Sequence, residues 1–220
     1  MNYSLQSSLN NYSDLENPYD VLSHWTNTSQ TRRQYAVGTA IWNIPVGSGL
    51  RRLSHASKPV ELVLGNWKLY WISYLASGAY FSPSFSGSSP SNTGVNGGLP
   101  DLVGDPKNVP GGRNYKTWFN PAAFAVPPAG RFGSALPFSL TGQPLNTHHV
   151  SIAKMFRITE RLSYTFTAAV SNVFNHPAFN APLANISVAG VGSFTSTVGV
   201  FQSNERAGAR QMTLKGRFEF

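Results

Sequence analysis

Hydrophobic and polar residues alternate along the last segment of the chain, residues 208–220. The even-numbered positions are apolar or small: Met212, Leu214, Gly216, Phe218 and Phe220. The odd-numbered positions are polar or charged: Gln211, Thr213, Lys215, Arg217 and Glu219. Because successive side chains of a strand point to opposite faces, the segment predicts a strand with one apolar and one charged face. At about 3.3 Å per residue and a tilt of about 40°, it rises roughly 33 Å, enough to cross the apolar band of a bilayer.

Earlier segments carry the same alternation or a high content of β-branched and aromatic residues. In residues 162–174, for example, Tyr164, Phe166 and Val170 share one face. Glycine and proline separate these runs from one another. The pattern predicts about six strands and no convincing helix, with strands near residues 3–9, 35–46, 62–81, 146–158, 162–174 and 208–220.

The predicted connections fall into two groups by length. Residues 159–161 form a tight turn, whereas residues 82–145 and 175–206 form long loops and residues 10–34 a fairly long one. If strand direction alternates, all the long connections lie on one side of the sheet, as in outer-membrane barrels, which have long extracellular loops and short periplasmic turns. The loop at 82–145 starts as a Ser/Gly-rich tract and then gains aromatic residues, so we expect it to pack on itself.

These features predict an all-β fold, an antiparallel transmembrane β-barrel segment that covers residues 1–220. Six strands are too few for a closed barrel, whose smallest bacterial single-chain examples have about eight. An open edge cannot face lipid, because its backbone groups would be unpaired. The chain is therefore expected to be the C-terminal part of a larger barrel, or one of several copies that build a barrel or adhesin. A soluble β-sandwich binding module is the third alternative.

Aromatic residues in the predicted strands suggest contacts with the membrane. Rings gather at both interfaces of a bilayer, and we expect this position for Trp67, Tyr70, Trp71 and Tyr74. In the last strand, Met212 and Leu214 are expected to face lipid, with Phe218 and Phe220 in the periplasmic girdle. These four residues form the expected membrane-assembly signal, with outer-membrane lipid and, through the C-terminal Phe, the barrel assembly machinery as partners.

Composition narrows the function classes. Charged residues are only 12% and cysteine is absent, so neither a disulfide framework nor a thiolate zinc site is expected. No window approaches 18 apolar residues, which excludes a transmembrane helix. The net charge of +8 is dispersed over the chain, apart from Arg32–Arg33 and Arg51–Arg52, and does not indicate nucleic-acid binding. The first residues have neither a basic nor an apolar leader segment, so no secretion signal is expected, which conflicts with an outer-membrane address.

Candidate chemical groups do not assemble into a catalytic or metal motif. His148 and His149 are adjacent and would point to opposite faces of a strand, so we expect solvated rim residues, and His24 and His55 are isolated. Asp101 and Asp105 lack the ligand density of a calcium loop. No nucleophile elbow, P-loop or paired-carboxylate site is present. We therefore expect no enzyme activity, no catalytic residues, no metal and no cofactor.

Several motifs resemble the C-terminal end of Oar-like TonB-dependent outer-membrane receptors of the Acidobacteria type. The likeness is strongest over about residues 115–220 and sharpest at Ser171–Phe179, where the family has Asn-hydrophobic-Phe-Asn-His-Pro-x-Phe, matched by Asn172, Phe174, Asn175, His176, Pro177 and Phe179. The other matching segments are Gly65–Leu69, Trp118–Phe124, Pro127–Gly133, Lys154–Arg161, Ala209–Gln211 and the final Phe220.

The resemblance implies a plugged barrel of about 22 strands, energised through TonB, that takes up a bulky ligand such as a siderophore or glycan. This chain would supply only the last strands, so it would act in uptake only within a complete barrel and would meet TonB only through N-terminal parts that it lacks. Two features depart from the family pattern. Thr167 and Ala169 stand where relatives often carry charged lumen residues, and the glycine of the terminal strand is Gly216 where relatives have it at the position of Lys215.

Overall fold

The computed structural model describes residues 1–11, 17, 25–29, 31–46, 57–94, 96–198 and 207–220. Within these ranges the regular secondary structure consists almost entirely of strands, joined by long stretches of turns and irregular backbone. One short α-helix, α1 (Lys58–Leu64), and one 3-10 helix, Pro121–Ala123, complete the described structure. The strands are β1 Asn2–Leu5, β2 Leu9–Asn11, β3 Trp25–Asn27, β4 Gln34–Asn43, β5 Trp67–Ala76, β6 Tyr80–Phe81, β7 Phe85–Ser88, β8 Asn96–Gly98, β9 Asp101–Leu102, β10 Phe124–Ala125, β11 Leu140–Thr141, β12 Leu145–Arg157, β13 Ser163–Ser171 and β14 Gln211–Glu219.

Six of these strands form one antiparallel sheet, the main sheet, in the order β1-β4-β5-β12-β13-β14. Each strand pairs with its neighbours in this chain order, so the main sheet is a meander. In the described part of the chain the sheet is open: β14 pairs only with β13, and residues 38–43 of β4 pair only with β5. The predicted all-β fold with about six main strands is confirmed, and the open sheet fits a partial barrel.

The pairing register places the alternating residues that were predicted to be apolar on one face of the main sheet. Trp71, Val150, Val170 and Met212 stand directly opposite one another across four strands. The adjacent row, one residue along each strand, contains Tyr70, Ser151, Ala169 and Thr213, whose side chains point the other way. We call these two surfaces the apolar face and the polar face.

The main sheet has a cap end, which carries long connections, and a turn end. Residues 6–33, 77–144 and 172–210 connect strands at the cap end, where Leu5 pairs with Gln34 and Ser171 with Gln211. Residues 44–66 and 158–162 connect strands at the turn end, where Arg157 pairs with Ser163. The two longest connections therefore lie at the cap end and the shortest at the turn end, where residues 44–66 form a connection of intermediate length.

Several strand limits differ from the predicted ones. The predicted strand at 3–9 is divided into β1 and β2, and the second of these pairs with β3 outside the main sheet. β13 stops at Ser171 because Asn172 has a left-handed backbone, with a φ of 52°. The predicted loop at 82–145 contains short strands, β7 to β11. His24, His55, Arg51–Arg52 and residues 199–206 of the predicted loop at 175–206 lie outside the described residues.

The predicted strand at 62–81 is wrong at its start, and the expectation of no helix is wrong with it, because residues 58–64 form α1. Pro59 lies in the first turn, where proline's fixed φ favours a helix and its missing N–H is not needed. The strand starts only at Trp67, after Asn66 with a φ of 59°. None of the helices among the described residues is long and apolar enough to cross a membrane.

The connections at the cap end pack together into what we call the loop cap, formed by residues 77–144 and 172–198. Two backbone hydrogen bonds around Ser84 join them, from Ser84 N to Ala184 O at 3.0 Å and from Ile186 N to Ser84 O at 2.8 Å. Its hydrophobic core consists of Phe81, Phe119, Ala123, Phe124, Ala135 and Leu140. The expectation that the long loop packs on itself is confirmed by this core.

Candidate functional site: the two faces of the sheet and the loop cap

The apolar face of the main sheet is open to the surroundings at β14. Met212 is 66% exposed and Leu214 and Phe218 are each 58% exposed, although all three are apolar. Leu214 stands opposite Ala168, so the surface continues onto β13. A water-soluble protein rarely leaves such a contiguous apolar surface uncovered. The surface has the chemistry of a barrel wall in contact with lipid.

An aromatic band crosses the apolar face at the turn end. The rings of Phe156 and Tyr164 stack with centroids 6.1 Å apart, and Tyr164 and Phe218 lie 4.8 Å apart. Trp67 extends the band towards β5, because the Lys154 Nζ atom lies over both Trp67 and Phe156. We define the aromatic band as Trp67, Phe156, Tyr164 and Phe218. Aromatic rings at the end of a barrel wall suit an interfacial girdle, and the girdle position of Phe218 stays a prediction.

The register divides the four predicted interface aromatics into two pairs. Trp67 and Trp71 belong to the apolar face, whereas Tyr70 and Tyr74 belong to the polar face. Tyr70 and Tyr74 therefore cannot form a lipid-facing band with the tryptophans. Tyr74 instead packs against His149, with ring centroids 5.6 Å apart.

A chain of hydrogen bonds satisfies the polar side chains on the apolar face near the cap end. Trp71 Nε1 donates to Ser73 Oγ at 2.7 Å, and Ser73 Oγ lies 2.8 Å from His148 Nδ1. His148 Nε2 lies 2.8 Å from Asn146 Oδ1. A neutral His148 that donates from Nε2 and accepts at Nδ1 satisfies all these contacts. His148 is thus a half-buried member of a network and not simply a solvated rim residue.

The motif at residues 172–179 forms a turn that joins the end of β13 to the start of β14. The fully buried side chain of Asn172 donates from Nδ2 to Gly208 O at 2.7 Å and accepts from His176 N at 2.9 Å. Its backbone N–H donates to His149 Nδ1 at 3.2 Å. Asn175, with a φ of 54°, closes the turn through a hydrogen bond to Asn172 O. Asparagine suits both left-handed positions better than most residues do.

The two phenylalanine rings of the motif, Phe174 and Phe179, belong to different aromatic clusters. Phe174 contacts His148 and Trp71, with centroids 5.0 and 6.0 Å away, and lies 6.3 Å from His176. Phe179 packs between Tyr115 and Phe194 of the loop cap, 5.2 and 5.1 Å away. Pro177 lines a cleft beside Tyr115. The motif therefore connects the apolar face of the sheet with the loop cap.

The two motif segments of the long loop contribute to the loop cap in different ways. Phe119, Ala123 and Phe124 are buried in it, and Asn120 caps the 3-10 helix by accepting from Ala122 N at 3.1 Å. In the second segment, Arg131 forms an ion pair with the buried Asp101. Residues that carry the resemblance therefore supply half of the core of the loop cap and one partner of its ion pair.

The polar face of the main sheet presents hydroxyl, imidazole and charged groups. Lys215 and Arg217 belong to this face, with Arg217 3.2 Å from Glu219 in an exposed ion pair. Near the cap end, Tyr70, Tyr74, His149 and Ser151 line a shallow depression. A surface of this kind suits the wet interior of a barrel, where it can contact a plug or a passing solute.

The candidate metal ligands have other partners. Asp101 accepts from Arg131 and from Ser134 N, and Asp105 Oδ1 accepts from Lys107 N at 2.8 Å. His148 and His149 lie on opposite faces of β12. Within the described ranges, no group of three or more His, Cys, Asp or Glu residues is placed to hold a metal ion.

An open antiparallel sheet with an exposed apolar face, an aromatic band and a polar opposite face defines a wall segment of a membrane β-barrel. A family model described as outer membrane beta barrel domain matches residues 1–212. The chain belongs to this outer-membrane β-barrel family, and it is located in the outer membrane. No curated protein and no solved structure matches the chain. A soluble β-sandwich agrees neither with this family nor with the uncovered apolar face.

Two residues, Lys154 and Gly216, make contacts that the sequence did not predict. Lys154 follows the apolar parity of β12, yet it is 5% exposed and its ammonium group is bound by backbone carbonyls. Gly216 lies under the ring of Tyr164, where an added Cβ would come within 2.6 Å of the Tyr164 hydroxyl. Two sequence signals could have identified them. Lys154 is a cation between Ile152 and Phe156 on the apolar face, and Gly216 lies between Leu214 and Phe218 on the same face.

Proposed function

We propose that the chain forms part of the barrel wall of an Oar-like TonB-dependent receptor that takes up a bulky ligand, such as a siderophore or a glycan. The observation that carries this proposal is the turn at residues 172–179, in which Asn172 binds both His176 N and Gly208 O. The residues that carry the resemblance are the ones that join β13, β14 and the loop cap. Because these residues hold the strands and the loop cap together, the resemblance to the receptor class rests on residues with a structural role.

The open main sheet supports a role as part of a larger wall. The unpaired edges at β14 and at residues 38–43 of β4 need neighbouring strands before the wall can face lipid. On this proposal the loop cap lies outside the cell, since long loops of outer-membrane barrels are extracellular. The polar face lines the lumen, and TonB acts through other parts of the receptor. The wall binds and guides a ligand and performs no catalysis.

Uptake measured in the source organism tests this proposal. A strain without the protein and a strain without TonB should lose accumulation of the same siderophore or glycan, while passive entry of small solutes is unchanged. A variant that carries Asn172→Ala should lower uptake in proportion to the amount of folded barrel. Accumulation that needs the protein but persists without TonB contradicts the proposal.

A homo-oligomeric barrel or adhesin is the second candidate, favoured by the two unpaired edges of the main sheet, which another copy of the chain could cover. The apparent size of the folded protein in outer membranes, run with and without boiling, separates the two. A heat-modifiable band several times larger than 23.9 kDa that does not dissociate to 23.9 kDa on boiling supports the receptor. An unboiled oligomer that dissociates to 23.9 kDa chains supports the oligomeric barrel.

A further inference from the structure

Lys154 places a cation on the apolar face of the main sheet. Its neighbours along the same face are Ile152 and Phe156, and the residue is 5% exposed. A Lys or Arg on the lipid face of a barrel is strongly destabilising at the bilayer midplane and much less so near the interface. The position of Lys154 in the aromatic band and the partners of its ammonium group therefore determine whether this wall tolerates it.

The ammonium group of Lys154 binds the C-terminal end of α1. Nζ donates to Val63 O at 3.1 Å and to Gly65 O at 2.7 Å, and it lies 4.7 Å from the Trp67 ring centroid. The last carbonyls of a helix have no partner within the helix and carry partial negative charge, so a cation is favoured there. Trp67 Nε1 donates to the same Val63 carbonyl at 3.0 Å. Lys154 and Trp67 together hold α1 against the aromatic band.

The far side of α1 is apolar and uncovered. Val60, Val63 and Leu64 follow the i, i+3, i+4 spacing of one helix face and are 38%, 62% and 47% exposed. Glu61 and Leu62, on the other side, line a cleft with the end of β12, where Leu62 is itself 58% exposed. We call Val60, Val63 and Leu64 the helix stripe. It adjoins Trp67, so the apolar surface of the wall continues onto the helix.

We propose that α1 is an interfacial foot, whose helix stripe inserts into the phospholipid boundary at the turn end of the barrel. The continuity of the helix stripe with the lipid-facing wall supports this occupant, since the membrane already covers the adjoining surface. The sequence around α1 also carries Arg51, Arg52 and Lys58 against the single acidic Glu61. A sequence that combines basic residues with a short apolar stripe favours an anionic phospholipid surface.

Spin-label depth measurements test this proposal directly. The chain contains no cysteine, so Val60→Cys and Leu64→Cys each provide a single labelling site within it. The complete protein is purified from outer membranes and reconstituted in vesicles of phosphatidylethanolamine and phosphatidylglycerol. Leu214→Cys on the apolar face and Thr213→Cys on the polar face serve as matched lipid and water references. Collision rates with oxygen and with a water-soluble nickel complex are then compared.

We expect labels at 60 and 64 to have an oxygen-to-nickel ratio several-fold above that of the Thr213 label and close to that of the Leu214 label. Ratios equal to that of the Thr213 label overturn the proposal, as does protection from both reagents, which indicates a protein partner over the helix stripe.

Variants of Lys154 provide the second measurement. With the label at 64, Lys154→Met should increase label mobility and lower the oxygen-to-nickel ratio, while Lys154→Arg, which retains a cation and its donors, should preserve both values. Unchanged values in Lys154→Met contradict the role of Lys154 as the anchor. If Lys154→Met fails to assemble, the labels at 60 and 64 in the otherwise unchanged protein still decide whether the helix stripe meets lipid.

Discussion

The side-chain amide of Asn172 donates to the backbone carbonyl of Gly208 across a distance of 2.7 Å, while the residues lie 36 positions apart in the chain. The bond ties the end of β13 to the segment that leads into β14. Both strands are thereby held in register at the cap end, where β14 has no other neighbour in the described part of the chain. The long connection between these strands therefore does not leave their pairing free to slip.

Substitution of Asn172 should lower the yield of folded barrel. Loss of a buried donor and acceptor that leaves its partners unpaired costs about 1–3 kcal/mol. Asn172→Asp keeps the acceptor for His176 N but cannot donate to Gly208 O, and Asn172→Gly keeps the left-handed backbone but loses both bonds. We expect Asn172→Ala to be less stable than Asn172→Gly, and Asn172→Asp to be destabilised as well because its carboxylate faces the Gly208 carbonyl oxygen in a buried site, all measured by urea unfolding in detergent micelles. Equal stability of all three variants and the parent would contradict this role.

Substitution of Gly216 should disturb the aromatic band. An added Cβ would meet the Tyr164 ring at 2.6–3.2 Å, so Gly216→Ala must displace that ring from Phe218. The matched control is Gly38→Ala, where the nearest atom, Ser73 Cβ, is 3.9 Å away and no rearrangement is needed. We expect Gly216→Ala to lower the free energy of unfolding by on the order of 1 kcal/mol, and Gly38→Ala to leave it nearly unchanged.

A double-mutant cycle with Tyr164→Ala identifies the cause of that cost. If the clash is with the ring, Gly216→Ala should cost little in the Tyr164→Ala background, which gives a coupling energy of about 0.5–3 kcal/mol. Additive effects in unfolding experiments would mean that Tyr164 is not responsible.

Truncation of Phe119 should loosen the loop cap without opening the main sheet. Phe119 is 2% exposed and lies 5.9 and 6.0 Å from the rings of Phe81 and Phe124. Phe119→Ala leaves a cavity in the core of the loop cap, which should destabilise the packing of the cap by about 3–5 kcal/mol. Limited proteolysis of purified protein should cleave within residues 77–144, whereas the control Val126→Ala, at a residue that is 51% exposed, should remain resistant. Equal resistance of both variants would show that the core does not hold the cap.

Phe220 is expected to act in assembly and not in stability. Its side chain is 98% exposed, so Phe220→Ala removes little packing from the folded sheet. If the assembly machinery binds the terminal aromatic, the variant should appear in the outer membrane more slowly, yet unfold at the same urea concentration once it is folded. The measurement is pulse-chase appearance of the heat-modifiable band. Normal assembly kinetics would argue against this signal.

Much of the main sheet could be predicted because strand periodicity is a local property. Alternation at residues 150–158, 162–174 and 208–220 identified the apolar face, and the register confirmed it across four strands. The helix α1 was missed because a helix of only seven residues rich in Val and Leu resembles a strand, although Pro59 and the preceding Ser57 are helix-start signals.

The candidate site was less predictable, because it depends on contacts between distant parts of the chain. The segment at residues 172–179 was recognised as a motif, but no local pattern places Asn172 beside Gly208. The partners of Lys154 likewise come from residues 63 and 65, far away in sequence. Tyr70 and Tyr74 were grouped with Trp67 and Trp71 by composition, although their parity already assigns them to the other face.

In a complete outer-membrane barrel, the apolar face of the main sheet is expected to meet lipid. Single cysteines at residues 211–219 of β14, in a chain that has no other cysteine, test it most directly. In isolated outer membranes we expect a water-soluble maleimide to label positions 213, 215 and 217, and not 212, 214 and 218. Uniform labelling along the strand, or labelling confined to the second set, would contradict the claim.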